Sequence, residues 1–547
     1  MTLLASRATA LVVALCVGMA SASAQSAVTV PVGDPLYQDV DRLVDAGLIA
    51  RIVVGQRPYS RGALARFAAE ARSRLDSTSD GTGIAVLQEA LARLERRLVH
   101  ATSVDSAKGA TSRVIVAPFD VVRFDALSTD AASRPVPSNG LGSMEADLNS
   151  LTSYREGREY PMGSTFGLES QHWLQVGSVS IQAQPRIALS LPREGATAGA
   201  FQVESGDLRG VMGNVALTVG REFTLWSQAD DAGLLFSENA PALDMIRLAS
   251  DNPFQLPGAF RHAGLVAATL QIADLGSSAA NAHSRLVSYK VSVRPTDVLE
   301  LGATFENHFG GAGSRSPSLL NRVIDLLPFV DIFRHHADST DVQSDKLIGA
   351  DGRLRLPMLA NATLFGEVAL EDFDFHRLGS IFTQDAAYSA GVSVPAIFSP
   401  SFSGRVRYHT TGLRFYEHHL IVDGIAAHRF ILGDDLGHDA RAFDASLTWR
   451  TAPGLLLTIS ADHEIRSNDE YLGSYINPNL TGLVFQKVSD RPEEVRTRGL
   501  LALRYTPPTG HATVELGGGA ERTSNFGFAA VPSRIHGVGN LTITAYR

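Results

Sequence analysis

The chain has 547 residues, of which 44% are hydrophobic, 19% charged and 7% aromatic. This composition is too apolar for a disordered chain and too varied for a fibre, so it specifies a folded protein. Lysine and arginine number 48 against 57 acidic residues, and the net charge of −9 argues against binding to nucleic acid.

The first 24 residues are typical of a secretory signal peptide. Arg7 precedes an apolar stretch over residues 11–20, and Ala22-Ser23-Ala24 forms a small-residue cleavage site. The apolar stretch is well short of the roughly 20 residues that a membrane-spanning helix needs. Cleavage after Ala24 would remove Cys16, the single cysteine of the chain, and with it any disulfide or thiol chemistry.

Residues 25–105 are predicted to form a bundle of three short helices. Apolar side chains recur at helical spacing in three segments, residues 36–48, 64–75 and 84–98. We interpret the bundle as periplasmic, and it either packs only on itself or caps or plugs whatever follows. The polar and small residues 102–111 are the predicted linker.

Beyond this linker the apolar period changes from 3.6 to 2 and keeps that value to the C terminus. In residues 179–191 nearly all odd positions are apolar and most even positions polar, which predicts a strand with one apolar face. The same alternation occurs in residues 287–294, 444–450 and 455–462, and a last strand covers residues 541–547. Four aromatic residues near strand ends are interpreted as interfacial girdles: Trp173, Tyr289, Trp449 and Tyr505.

A soluble β-sandwich and an outer-membrane barrel both produce this alternation, and length decides between them. Residues 106–547 are far more than one sandwich would use. With about 24 residues per strand, they supply on the order of 18 strands. We therefore predict a mainly β fold, a large antiparallel transmembrane β-barrel in contact with outer-membrane lipid, preceded by the three helices.

A series of short motifs keeps its order along almost the whole mature chain. The motifs are Asp34-Pro35-Leu36-Tyr37-Gln38-Asp39-Val40-Asp41, Gly55-Gln56-Arg57-Pro58-Tyr59-Ser60, Gly220-Arg221 with Trp226, Gly233-Leu234-Leu235-Phe236-Ser237-Glu238-Asn239, Phe309-Gly310-Gly311-Ala312-Gly313, Glu367 with Glu371-Asp372, and Tyr416-Glu417-His418. In these motifs the chain resembles the Wzi family of outer-membrane capsule assembly proteins. The resemblance implies an 18-stranded barrel with a periplasmic helical bundle, which acts as a lectin for capsular polysaccharide and not as an enzyme.

The segment from Gly220 to Pro241 is the candidate ligand site. It combines an arginine, a tryptophan and a polar loop, and we predict that Arg221, Trp226, Glu238 and Asn239 bind ligand or line a pore. The alternative is structural, with Arg221 in a network of ion pairs in the lumen and Trp226 in a girdle. Because the net charge is negative, local arginine clusters would have to attract an acidic polymer.

Other chemistries receive less support from the sequence. His335-His336, and Glu417-His418-His419 with Asp434, Asp435 and His438 downstream, suggest a metal site. Adjacent residues on a strand point to opposite faces, however, so a neighbouring pair cannot bind one ion unless the segment bends. Glu371-Asp372 with Asp374 resembles a glycosidase pair only by proximity. We expect no metal, no cofactor and a monomer. A diffusion channel is the alternative function, and an outer-membrane hydrolase is the third. An apolar helix within residues 316–334 is predicted to narrow the barrel mouth.

Overall fold

The computed structural model describes most of the chain. Its described residues are 26–77, 83–99, 114–137, 144–229, 232–278, 281–314, 344–371, 378–418, 421–468, 471–475, 483–487, 491–507 and 510–547. The predicted signal peptide, the linker over residues 102–111, the helix predicted within residues 316–334, and His335, His336, Asp372, Asp374 and His419 lie outside these ranges.

Three helices precede the β-structure, as predicted. They are α1 (Leu36–Asp45), α2 (Arg61–Asp76) and α3 (Ile84–Arg97). Their apolar stripes meet in one core around Leu43, Leu64 and Leu91, because residues three and four apart share a helix face. In the described part of the chain, helices are too short or too polar to cross a membrane.

A single large antiparallel sheet contains all the long strands. They are β1 (Val114–Thr129), β2 (Gly163–Val176), β3 (Val179–Pro192), β4 (Ala198–Met212), β5 (Val215–Glu222), β6 (Leu243–Ser250), β7 (Leu265–Asp274), β8 (Ser284–Thr296), β9 (Leu299–Gly310), β10 (Ser344–Leu356), β11 (Ala362–Glu371), β12 (Ala386–Val394), β13 (Phe402–Thr411), β14 (Ala440–Ala452), β15 (Leu455–Arg466), β16 (Glu494–Tyr505), β17 (Ala512–Ser524) and β18 (Arg534–Tyr546). A short helix, α4 (Leu378–Gln384), lies between β11 and β12.

The sheet closes on itself, because β1 pairs with both β2 and β18. The sheet contains 19 strands, one of which is the two-residue Phe254–Gln255. That short piece and β6 both pair with β7 and form one interrupted wall strand. The barrel therefore has 18 strands, which confirms the predicted fold.

The two faces of the barrel wall have opposite polarity. On β3 the side chain of Ile187 is 58% exposed on the outside, whereas the neighbouring Arg186 is buried in the lumen and paired with Asp125. Apolar residues outside and charged residues inside reverse the arrangement of a soluble sandwich. The predicted two-residue alternation is thus confirmed, and its apolar face is the outer one.

The aromatic residues divide between the two faces. Trp449 and Tyr505 point outward and are 42% and 44% exposed, and Tyr289 stacks on Phe305 with ring centroids 5.0 Å apart. Trp173 is buried instead, with the guanidinium of Arg61 5.4 Å from its ring centroid. The girdle interpretation is therefore wrong for Trp173, because a helix covers the lumen at that level.

Candidate functional site in the barrel lumen

Loops fold into the barrel rather than standing above it. The described residues of segments 144–160, 223–242 and 412–439 contribute to one apolar core within the lumen, in which Trp226 and Phe236 contact edge to face at 4.9 Å. An apolar core of this kind lets backbone that leaves the sheet remain inside the polar lumen. The infolded segments therefore decide which surfaces of the lumen a ligand can reach.

A single carboxylate fixes the second infolded segment to the wall. Glu367 on β11 accepts hydrogen bonds from the Ser227 hydroxyl at 2.9 Å, the Gln228 N–H at 2.8 Å and the Leu234 N–H at 3.0 Å. Two of these donors are backbone groups, whose burial without an acceptor would cost free energy. Glu367 thus fixes the positions of Ser227, Gln228 and Leu234 against the barrel.

Beside the infolded core lies a cavity of about 690 Å³. This volume is within the range of about 300–1,000 Å³ that is typical of ligand sites. Helix α1 and residues 150–160 contribute to its lining, together with inward side chains of strands β13 to β16. Those strands supply hydroxyl and guanidinium groups, the donors and acceptors that hydrogen-bond sugar hydroxyls: Ser403, Arg405, Ser446, Thr448, Thr458 and Ser460.

One end of this cavity carries a compact set of charges. Arg407 Nε donates to Asp444 Oδ2 at 2.6 Å. His409 lies between Asp434 Oδ2, 2.7 Å from its Nδ1, and Arg407, whose Nη2 lies 3.2 Å from its Nε2. Although burial alone would raise it, the charges of His409 and Arg407 hold the pKa of Asp434 below its ordinary value. This set ties residues 412–439 to strands β13 and β14.

The same place contains the one group with the spacing of a metal site among the described residues. One ligand atom each of His409, Asp444 and Asp462 lies within 4.8 Å of the others. Arg407, however, bonds Asp444 and lies beside the Nε2 of His409, so its guanidinium supplies the positive charge there. We therefore interpret this group as an ion-pair network.

The described members of the metal and carboxylate motifs make contacts with the infolded loop that contains residues 412–418 and 421–439. Glu417 lies 3.1 Å from the Nε2 of His438, and His418 Nδ1 accepts the Ile421 N–H at 3.1 Å. Glu371 accepts the backbone N–H of Tyr416. These side chains therefore hold the infolded loop in place.

The helices cover the opposite end of the lumen through polar contacts. Glu300 at the start of β9 accepts the N–H groups of Val54 at 2.9 Å and Gly55 at 2.8 Å. Ion pairs with other parts of the barrel complete the contact: Arg61 with Asp120, Arg66 with Asp251 at 3.1 Å, and Arg353 with Asp45 at 2.7 Å. We call residues 26–99 the cap. The bundle therefore packs on the barrel as well as on itself.

The structure places the four predicted site residues in three different environments. Arg221 is on the outer face of β5, where it bonds Asp244 at 2.7 Å and lies 3.4 Å from the carbonyl oxygen of Val203. The β4–β5 ladder ends at the pair Gly206–Arg221, whereas β5 remains paired with β6 through Arg221 and Glu222. Its neighbour Glu222 is the residue that enters the lumen network, paired with Arg247 at 2.6 Å.

The other three predicted residues belong to the infolded segment. Trp226 is buried in the core of the lumen. Asn239 is also buried, and its side chain donates to the carbonyl of Ile431 at 3.0 Å. Glu238 is part of the lining of the cavity. Trp226, Glu238 and Asn239 thus lie inside the barrel on the same infolded segment, whereas Arg221 lies on the outer face of the wall.

Sequence reasoning missed the hydroxyl-rich wall and the anchoring role of Glu367. The wall residues stand at alternating positions of three strands, for example Ser446 with Thr448 and Thr458 with Ser460. The polar half of the alternation was the available signal. It could not show which strands face the cavity, since this depends on where the loops fold.

The chain is similar to proteins of a known family. Residues 139–534 match the family described as Capsule assembly protein Wzi. The chain belongs to the Wzi family of capsule assembly proteins. The matched range includes the infolded segments and the cavity wall, while the three helices precede it. No curated protein sequence matches the chain.

One solved structure shows the same fold, and others are more distantly similar. Wzi of Escherichia coli has a TM-score of 0.63 at 16% identity, over 94% of this chain and 98% of that one. It is described as an outer membrane protein involved in group 1 capsule assembly and as a carbohydrate binding β-barrel. Pseudomonas aeruginosa OpdQ and OprD are more distant, with TM-scores of 0.42 and 0.41 at 9% and 10% identity. They cover 79% and 80% of this chain, and 97% and 96% of their own.

Proposed function

We propose that this protein is an outer-membrane barrel that binds capsular or extracellular polysaccharide and helps to assemble or retain it at the cell surface. Membership of the Wzi family supports the link to capsule. The observation that carries the proposal is a lumen whose infolded loops leave a hydroxyl-lined and arginine-lined cavity. Such a surface suits a polymer of sugars better than an apolar solute.

The proposal includes location and organisation. The signal peptide, residues 1–24, would direct export with cleavage after Ala24. Residues 25–105 would form the periplasmic bundle, and residues 106–547 the barrel, whose apolar outer face would meet lipid. The protein would act as a monomer that binds without catalysis and without a cofactor or nucleic acid.

The diffusion channel remains the second candidate function. Its support is the closed barrel with a charged inner wall. The infolded core around Trp226 and the cap on the opposite end both argue against it, because each occupies cross-section that a solute would need.

Within the cavity we propose that Glu238 contacts ligand directly, while Trp226 and Asn239 hold the segment that carries it. The support is the lining position of Glu238 and the burial of its two neighbours. Arg221 would contact only a ligand that approaches the outside of the wall, because its side chain points there.

The test compares polysaccharide retention with ion conductance. Purified protein in detergent-free nanodiscs should be retained on immobilised capsular polysaccharide, and deletion of its gene should release polymer from the cell surface. In planar bilayers the same preparation should show little conductance. Retention at the level of an empty nanodisc, together with large open channels, would reject the proposal in favour of a channel.

A further inference from the structure

An arginine at the outer rim of the barrel has a fixed position but no acidic partner among the described residues. Arg534 is the first residue of β18, and its guanidinium carbon lies 4.2 Å from the ring centroid of Phe526. The side chain is exposed, and in the described part of the chain no carboxylate pairs with it. Most other arginines of the inner wall are paired with acids, so this residue stands apart.

The ring of Phe526 also holds a second guanidinium. The guanidinium carbon of Arg134 lies 4.4 Å from the same centroid. Arg134 is neutralised by Glu494, to which it donates two hydrogen bonds, one of them 2.9 Å long. Glu494 also accepts the N–H of Gly527 at 2.7 Å. Phe526 thus contacts two guanidinium groups. That of Arg134 is neutralised by Glu494, whereas that of Arg534 is not neutralised by a described carboxylate.

The side chain of Arg534 lies on the inner face of the barrel wall, where a surface polymer can reach it and a lipid headgroup cannot. Along β18, Arg534 shares a face with Val538, which is buried in the lumen, whereas Ile535 is 69% exposed on the opposite, outer face. Arg522 is paired with Ile535 across the ladder and therefore shares that outer face. Arg534 consequently faces the barrel mouth, where a surface polymer approaches, and Arg522 faces the side of the lipid.

We propose that Arg534, held on Phe526, is a subsite for the carboxylate of an acidic sugar residue. A guanidinium whose flat face stacks on an aromatic ring keeps its N–H edge free for two parallel bonds to a carboxylate. Stacking also fixes the side chain before binding, which lowers the entropy lost on association. The inference rests on the proposed function and specifies its ligand: a polysaccharide that contains uronic acid.

The subsite also resolves the problem posed by the net charge. A chain with net charge −9 repels a polyanion at long range. A local cation with fixed geometry at the mouth would overcome this repulsion at contact. Binding through Arg534 should therefore weaken with added salt and should require the carboxylate itself.

The experiment uses full-length protein in nanodiscs with two probes, tetragalacturonate and its fully methyl-esterified form, which lacks the charge. Arg534→Gln should weaken tetragalacturonate binding by about tenfold, the loss expected for a charge-assisted pair, and leave the ester unchanged. Arg534→Lys, which keeps the charge without the flat fork, should bind with intermediate affinity. Arg522→Gln is the matched control, with the same charge change one strand away on the other face.

Each result has a defined meaning. Equal losses for Arg522→Gln and Arg534→Gln would show a general effect of charge and overturn the subsite. Equal binding of both probes by the unmodified protein would also overturn it while leaving the proposed function intact. If neither probe nor a neutral polymer binds, the proposed function fails as well. Competition by lipid A would place the site on the lipid side and contradict the assignment.

Discussion

The docking of the cap depends on a buried ion pair that can be broken from one side. Arg61 on α2 pairs with Asp120 on β1, and their side chains are only 6% and 5% exposed. Burial lowers the pKa of Arg61 although Asp120 opposes the change, so the charge is held at a cost. Asp120→Ala should therefore leave an uncompensated cation between the cap and the barrel.

The expected loss can be stated from the burial of the pair. Removing one partner of a buried ion pair typically costs about 3–5 kcal/mol, because the other charge stays desolvated. At 1.4 kcal/mol per factor of ten, this corresponds to a factor of roughly 10² to 4 × 10³ in the docking equilibrium. If the cap undocks without unfolding the barrel, amides of α1 to α3 should exchange with solvent faster by this factor.

The assay is hydrogen exchange measured by mass spectrometry on the protein in nanodiscs. The matched control is Arg72→Ala, which breaks the pair with Glu95 inside the cap, where both side chains are about 40% exposed. An exposed pair is worth about 0.2–1 kcal/mol, so exchange should rise only a few-fold. Equal exchange in Asp120→Ala and the unmodified protein would refute the role of this pair in docking.

Three further outcomes concern the barrel. Trp226→Ala should destabilise the infolded core by about 3–5 kcal/mol, seen as a lower thermal midpoint, and an unchanged midpoint would contradict its burial. Arg221→Ala should change the midpoint little, because its pair with Asp244 is exposed; a large loss would contradict that position. The pKa of Asp434 is depressed, so its stabilisation is present above about pH 4 and lost as the pH falls through its lower folded value. Stability should therefore drop below about pH 4, and this drop should be smaller in Asp434→Asn.

The sequence was sufficient for the type and order of the elements. The apolar stripes predicted helices that the structure places at Leu36–Asp45, Arg61–Asp76 and Ile84–Arg97. Alternation over residues 179–191 predicted the strand Val179–Pro192. Both patterns arise from local geometry, since side-chain direction repeats every 3.6 residues in a helix and every two in a strand.

Contacts between distant segments could not be predicted in the same way. Trp226 is close in sequence to a strand end, which suggested a girdle, but its environment is set by Glu367 about 140 residues away. Likewise, Trp173 lies on the inner face of β2, and its contact there is with Arg61 of the cap. Periodicity assigns a residue to one face of a strand; it does not state what lies against that face.

Local neutralisation within the lumen bears on the proposed binding of an acidic polymer. Arg186 is paired with Asp125, and Arg247 with Glu222. Carboxylates of the barrel therefore already neutralise much of the positive charge on the wall. Buried pairs of this kind are poorly screened and not easily exchanged for a ligand. An anion therefore gains most from a cation whose position is fixed by a neutral group, and Phe526 beneath Arg534 provides that arrangement. The total number of arginines in the lumen therefore overestimates the affinity for an acidic polymer. The arginines that have a fixed position but no acidic partner are the better guide to where such a polymer binds.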